Sequence, residues 1–72
     1  MTEAELFRNR AAHDREAADA ATLDPVRDRH LRSAAVWTSM ANRSERVAEQ
    51  RERNEAEKAA NRTAEYANRI AE

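Results

Sequence analysis

His13 and His30 are the only imidazoles in the sequence and there is no cysteine, so any metal or acid–base chemistry would have to be assembled from them and nearby carboxylates. The spacing does not favour it. Glu16 follows His13 by three residues, His30 stands among Arg27, Arg29 and Arg32, and the Glu-x-x-His order used by di-metal helix bundles is absent. His13 is expected to be solvated and His30 to pack at the end of a hairpin. Asp14 is a lone carboxylate on an otherwise apolar helix face, expected to reach the interface edge toward an arginine. No glycine-rich phosphate loop and no nucleophile elbow can exist in a chain without glycine. No catalytic residue, metal or cofactor is expected, nor a small-molecule substrate.

Arginine supplies 12 of the 13 basic residues. Arg27, Arg29, Arg32, Arg43 and Arg46 make the middle of the chain basic, and a guanidinium suits carboxylate or phosphate recognition. These five are the candidate anion-binding residues. Nucleic acid is nonetheless disfavoured as a partner, because the formal net charge is −1 and no aromatic platform interleaves the bases. Residues 1–24 carry three arginines against six acids, and residues 25–48 five against two, so antiparallel pairing of the two would bring opposite charges together.

The elements that must position these groups are helices. A chain of 72 residues with 38% charged residues, 4% aromatics, no glycine and one proline has the composition of long exposed helices. Much of its 40% apolar content is alanine, so the core is expected to rest on a few large side chains. Thr2 and Glu5 have the capping-box spacing and begin a first helix, with Ala4, Phe7, Ala11, Ala18 and Ala21 along one face. TLDPV is the one clear punctuation. Asp24 can cap a second helix and Pro25 can take its first position, which predicts an all-α fold: an antiparallel two-helix hairpin over about 3–22 and 25–48.

Nothing obligatory stops the second helix before the C-terminus, so it is expected to run for roughly 45 residues and about 70 Å. The expected organisation is a hairpin over 1–48 and a charged helical extension over 49–72. Val26, His30, Ser33, Ala34, Trp37, Met40, Ala41, Ser44, Val47 and Ala48 form the stripe offered to the first helix. Folding about Leu23 and Asp24 sets Phe7 near Met40, Ala11 near Trp37 and Ala18 near His30, with the indole over a groove of small residues instead of another ring. The extension offers i,i+4 ion pairs, Glu49 with Arg53 and Glu65 with Arg69, and the reverse-order pairs Arg51 with Glu55 and Arg53 with Glu57. A weaker face of Ala56, Ala59, Ala60, Thr63, Ala67 and Ile70 has Tyr66 at its edge.

The large apolar residues are too few to offset the entropy of ordering two helices, and Leu6, Leu31, Ala35 and Val36 point partly away from the seam. A second surface therefore wants covering. The expected partner is a second copy, most simply in a four-helix bundle, or another helical protein, and the candidate partner-binding residues are Leu6, Phe7, Leu31, Ala35, Val36, Trp37, Met40 and Val47. With no apolar run of signal-peptide or membrane-span length, no membrane association is expected and a cytoplasmic location is the default.

The order FRNRAA from Phe7 to Ala12, followed by DPVRDRHLRSAAVWTSMANRSE from Asp24 to Glu45, resembles a group of short bacterial proteins frequent in alphaproteobacteria. Their pattern is an aromatic-Arg pair, an Asp-Pro turn, then Leu, Ala, Trp and Leu/Met-Ala at helical spacing. Phe7-Arg8, Asp24-Pro25, Leu31, Ala34, Trp37, Met40 and Ala41 match it. The resemblance covers about the first 48 residues and implies a helical hairpin. The group has no assigned activity, so it implies no functional residue, and the charged extension lies outside it.

Overall fold

The protein, described here from a computed structural model over residues 1–71, consists of two α-helices: α1 (Glu3–Ala20, 18 residues) and α2 (Asp24–Ala71, 48 residues). The helices pack against each other as an antiparallel hairpin. The molecule measures 75 × 18 × 10 Å, the length of α2 by the breadth of two helices side by side. Its radius of gyration, 21.3 Å, is about twice that of a compact domain of this length, because about half of α2 has nothing beside it. Glu72, the last residue of the expected extension, lies outside the described residues.

Local chemistry sets both ends of the turn. At the start of α1 the capping box forms as expected: the Thr2 hydroxyl accepts from the Glu5 amide (3.1 Å) and the Glu5 carboxylate accepts from the Thr2 amide (3.3 Å). The helix stops at Ala20, two residues earlier than the spacing suggested, and Ala21 is extended (φ −71°, ψ 134°). Pro25 is the cause. A continuous helix would need an amide hydrogen at residue 25 for the Ala21 carbonyl, and proline has none. The carbonyl instead accepts from Arg27 Nη2 at 2.9 Å, while Arg27 Nη1 pairs with Asp24 at 3.0 Å.

Asp24 was expected as the cap of α2 with Pro25 first in the helix. The helix begins one residue earlier, since the Arg27 amide already bonds the Leu23 carbonyl (3.0 Å). Asp24 is the first helical residue and spends its carboxylate on Arg27. Proline remains within the first turn, where a missing donor costs nothing.

The core overturns the expectation of large side chains. The buried residues are Ala4, Ala11, Ala18, Ala34 and Ala41, all of them alanine, and Ala41 is 0% exposed. They stand seven apart on each helix, the repeat that keeps one face turned to a partner over several turns. Half-buried Phe7, Asp14 and Ala21 alternate with them on α1, as do Arg27, His30, Trp37 and Ser44 on α2. Met40, Val47 and Ala48, placed in the stripe facing α1, are exposed instead. Alanine wins the seam because large side chains there would hold the axes apart and weaken every other contact; small ones let them close to the short end of the usual ~8–10 Å range.

Beyond Ser44 every described residue of α2 is exposed. None of the four ion pairs expected in the extension closes among the described residues; Arg53 bonds Gln50 (3.1 Å) and Gln50 bonds Asn54 (3.0 Å). Exposed i,i+4 pairs contribute only a few tenths of a kcal/mol, too little to hold long side chains in one geometry.

The seam makes two predictions. Ala11, 1% exposed, has no room for a larger group, whereas Ala12 is exposed. Ala11→Trp should lower hairpin stability by about 1–3 kcal/mol or more, and Ala12→Trp by less than about 0.5. Thermal unfolding followed by circular dichroism distinguishes them. At the turn, Arg27→Ala leaves the Ala21 carbonyl without its partner and should cost about 1–2 kcal/mol, with Arg27→Lys recovering only part of it.

Candidate functional site

Three sets of side chains decorate the seam, each placed by the seven-residue repeat. The first is aromatic. Phe7 and Trp37 stack across the helices with ring centroids 5.7 Å apart and planes at 26°, and the Arg10 guanidinium lies 5.1 Å from the indole centroid on α1's side. Trp37 was expected over small residues alone, with no ring to meet. Phe7 and Arg10 both reach the indole, so Trp37 lies against this stretch of α1. What the reasoning missed is reach: Phe7 stands one turn before Ala11, and its ring still meets the indole. Such a stack contributes ~0.5–1.5 kcal/mol beyond the area it covers, and the cation adds ~0.5–1.

The second set is polar. Asp14 accepts a hydrogen bond from His30 Nδ1 at 3.1 Å, with both side chains largely covered (19% and 29% exposed). The expected arginine partner is absent because Arg27 is held at the turn by Asp24 and the Ala21 carbonyl, while Arg29 and Arg32 are exposed. A hydrogen bond from Ser33 chiefly, then the one from His30, hold the Asp14 carboxyl below the usual carboxylate range; burial opposes them, and the charges of His30 and His13 assist. Ser33 and His30 thus act on the same carboxylate. It forms a polar clasp across the seam. Among the described residues no group of three or more His, Asp or Glu converges as a metal site.

The third set closes the opposite edge. Arg8 grips Glu45 with two parallel bonds, Nε to Oε1 at 3.1 Å and Nη2 to Oε2 at 2.9 Å, and donates to Asn42 Oδ1 at 3.1 Å. Its direction reverses the charge argument: a base from the acidic segment meets an acid from the basic one. Sequence reasoning had no way to choose Arg8, since only the register shows that it faces Glu45.

The remaining edge is open. A groove of about 500 Å³ runs between the start of α1 and the place where α2 emerges alone, lined by Phe7, Met40, Val47 and Ala48 with Glu3, Arg43 and Arg51 at its rim. A shallower hollow of about 360 Å³ continues it over Ala35, Val36, Ser39, Met40 and Arg43. Of the expected partner-binding residues the structure gathers Phe7, Ala35, Val36, Met40 and Val47 here. Leu31 is elsewhere, two repeats before Glu45 and so on the edge that Arg8 closes. Leu6 is 40% exposed and lines neither hollow, and Trp37 is turned into the stack. Of the anion-binding candidates, Arg27 is occupied at the turn. Arg29, Arg32, Arg43 and Arg46 are exposed and form no ion pair among the described residues.

No described helix is long and apolar enough to cross a membrane. No family model matches this chain, and neither does any curated protein or solved structure.

The Asp14 clasp predicts an acid response. A carboxyl with a lowered folded pKa contributes stability above its ordinary value near pH 4, and that contribution is lost as the pH falls through the lowered value. The melting temperature should fall on acidification from about pH 5 toward pH 2, and less steeply in Asp14→Asn, measured by circular dichroism at fixed ionic strength.

Proposed function

We propose that this is a non-enzymatic helical interaction protein that associates, with itself or with another helical protein, through the open edge of its hairpin. One observation carries the reading. The molecule buries only alanine, while Val36, Met40 and Val47 are left 58%, 40% and 44% exposed along a single edge beside a groove. An isolated hairpin has no use for three large apolar side chains aligned in water; scattered exposure is ordinary, whereas alignment beside a concavity is the usual geometry of a helix-docking face. The hollows are open, and two helices provide no enclosed chamber in which substrate could be held away from water, which supports association over chemistry. The bare part of α2 fits the same reading as a projecting arm about 40 Å long.

Light scattering over a concentration series, with and without leucine-faced helical peptides, tests this. Assembly with itself or with a peptide is expected, lost in Met40→Glu while thermal stability stays within about 0.5 kcal/mol, since Met40 lies outside the seam. A monomer at every concentration that ignores all such helices would refute the reading.

A further inference from the structure

The open edge carries information about what it receives. Met40 and Arg43 line both hollows, so the two form one continuous channel along α2. Its apolar floor runs through Val36, Met40 and Val47, with Phe7 contributed by α1. Beside that floor runs a ridge of arginine. Arg29 and Arg43 stand fourteen residues apart, as do Arg32 and Arg46, so each pair returns to the same side of α2 after four turns. Arg43 lines the channel, which puts Arg29 on that side, whereas Arg32 and Arg46 lie further around the back of α2. Arg51 extends the rim past the end of α1, and the only acid lining the channel is Glu3.

We propose that the channel binds an acidic amphipathic helix of another protein, its apolar residues seated over Met40 and its carboxylates on Arg29, Arg43 and Arg51. This deepens the proposed function and rests on it. Charge decides the occupant. If a second copy packed the same edge against itself about a twofold axis, the stripe from Val36 to Val47 would pair with itself in reverse, setting Arg43 of one copy beside Met40 of the other and the two Arg43 side chains within about one helical turn of each other, like charges in a closing interface. The outer side of α1 from a second copy is acidic, with Glu5 and Glu16, yet its one large apolar anchor there is Leu6. Nucleic acid would use the arginines and leave the apolar floor wet. An acidic helix with its own apolar stripe satisfies both halves of the channel, and guanidinium forks are the cations best suited to carboxylates.

The probe is a synthetic amphipathic helix of about three heptads with leucine at the core positions and glutamate on the flanks, compared with the same peptide flanked by lysine. Titration calorimetry on the full chain should show the glutamate peptide binding at least about tenfold more tightly at low salt, with the difference shrinking at high salt. Arg43→Glu should reverse the preference; Arg43 is exposed and outside the seam, and unchanged Trp37 fluorescence verifies that the hairpin is intact. Equal binding of the two peptides, or a preference untouched by Arg43→Glu, overturns the proposal. So does self-association abolished by Met40→Glu with no peptide bound, although that result leaves the broader reading standing. Retention of DNA that the glutamate peptide cannot displace overturns it in favour of the nucleic-acid reading, and a monomer that binds nothing overturns both.

Discussion

Close contact between alanines repeated every seven residues governs this molecule. Ala4, Ala11 and Ala18 on α1 meet the face of α2 that carries Ala34 and Ala41, and these are the residues removed from water. Burying a methyl group contributes little by transfer alone, so the gain must come from what proximity allows: many weak dispersion contacts between neighbouring backbones and the side-chain pairs at the edges of the seam. Phe7 reaches Trp37, Arg8 reaches Glu45 and Asp14 reaches His30 because the axes are close. An increase in size at any of the alanines would loosen all three together.

Such a seam has a weakness that the polar groups correct. Alanines at a strict seven-residue repeat look alike after a slip of one repeat, so they fix the facing sides of the helices but not the register. A slip of seven would move Asp14 from His30 to the level of Trp37 or of the turn, leaving a partly covered carboxylate without a donor. It would also separate the two rings. The short turn acts in the same sense, with Pro25 breaking the helix and Arg27 tying the freed Ala21 carbonyl to the first turn of α2. Specificity in this hairpin therefore resides in a few polar and aromatic contacts laid over an apolar contact that cannot discriminate.

Much of this was legible in the residues. Thr2 with Glu5 announced the first helix, Asp24-Pro25 the turn, and the absence of glycine the uninterrupted α2; these are local rules, satisfied within a few residues of where they are read. That Trp37 would lie against the stretch of α1 around Phe7 and Arg10 followed from counting back from the turn. Side-chain reach was not legible. Whether Phe7 lies flat in the seam or extends to Trp37, whether Asp14 finds arginine or histidine, and whether Arg8 spans to Glu45 depend on rotamers chosen in three dimensions. Met40 and Val47 were misplaced for a related reason: the face a helix buries narrows as its partner comes closer, and an alanine seam is narrow.

That narrowness links the fold to the proposed function. With large side chains in the seam, Val36, Met40 and Val47 would be absorbed as the flanks of a wider core and the hairpin would be self-sufficient. Alanine draws the helices together, shrinks the covered face and pushes the next residues around α2 into water, beside the arginines of the following repeat position. The same contact that holds the hairpin thus creates an apolar edge bounded by cations, at the point where α1 begins and α2 continues alone. A third helix laid there would complete a bundle that two helices leave unfinished, and its charge would have to answer the arginine ridge.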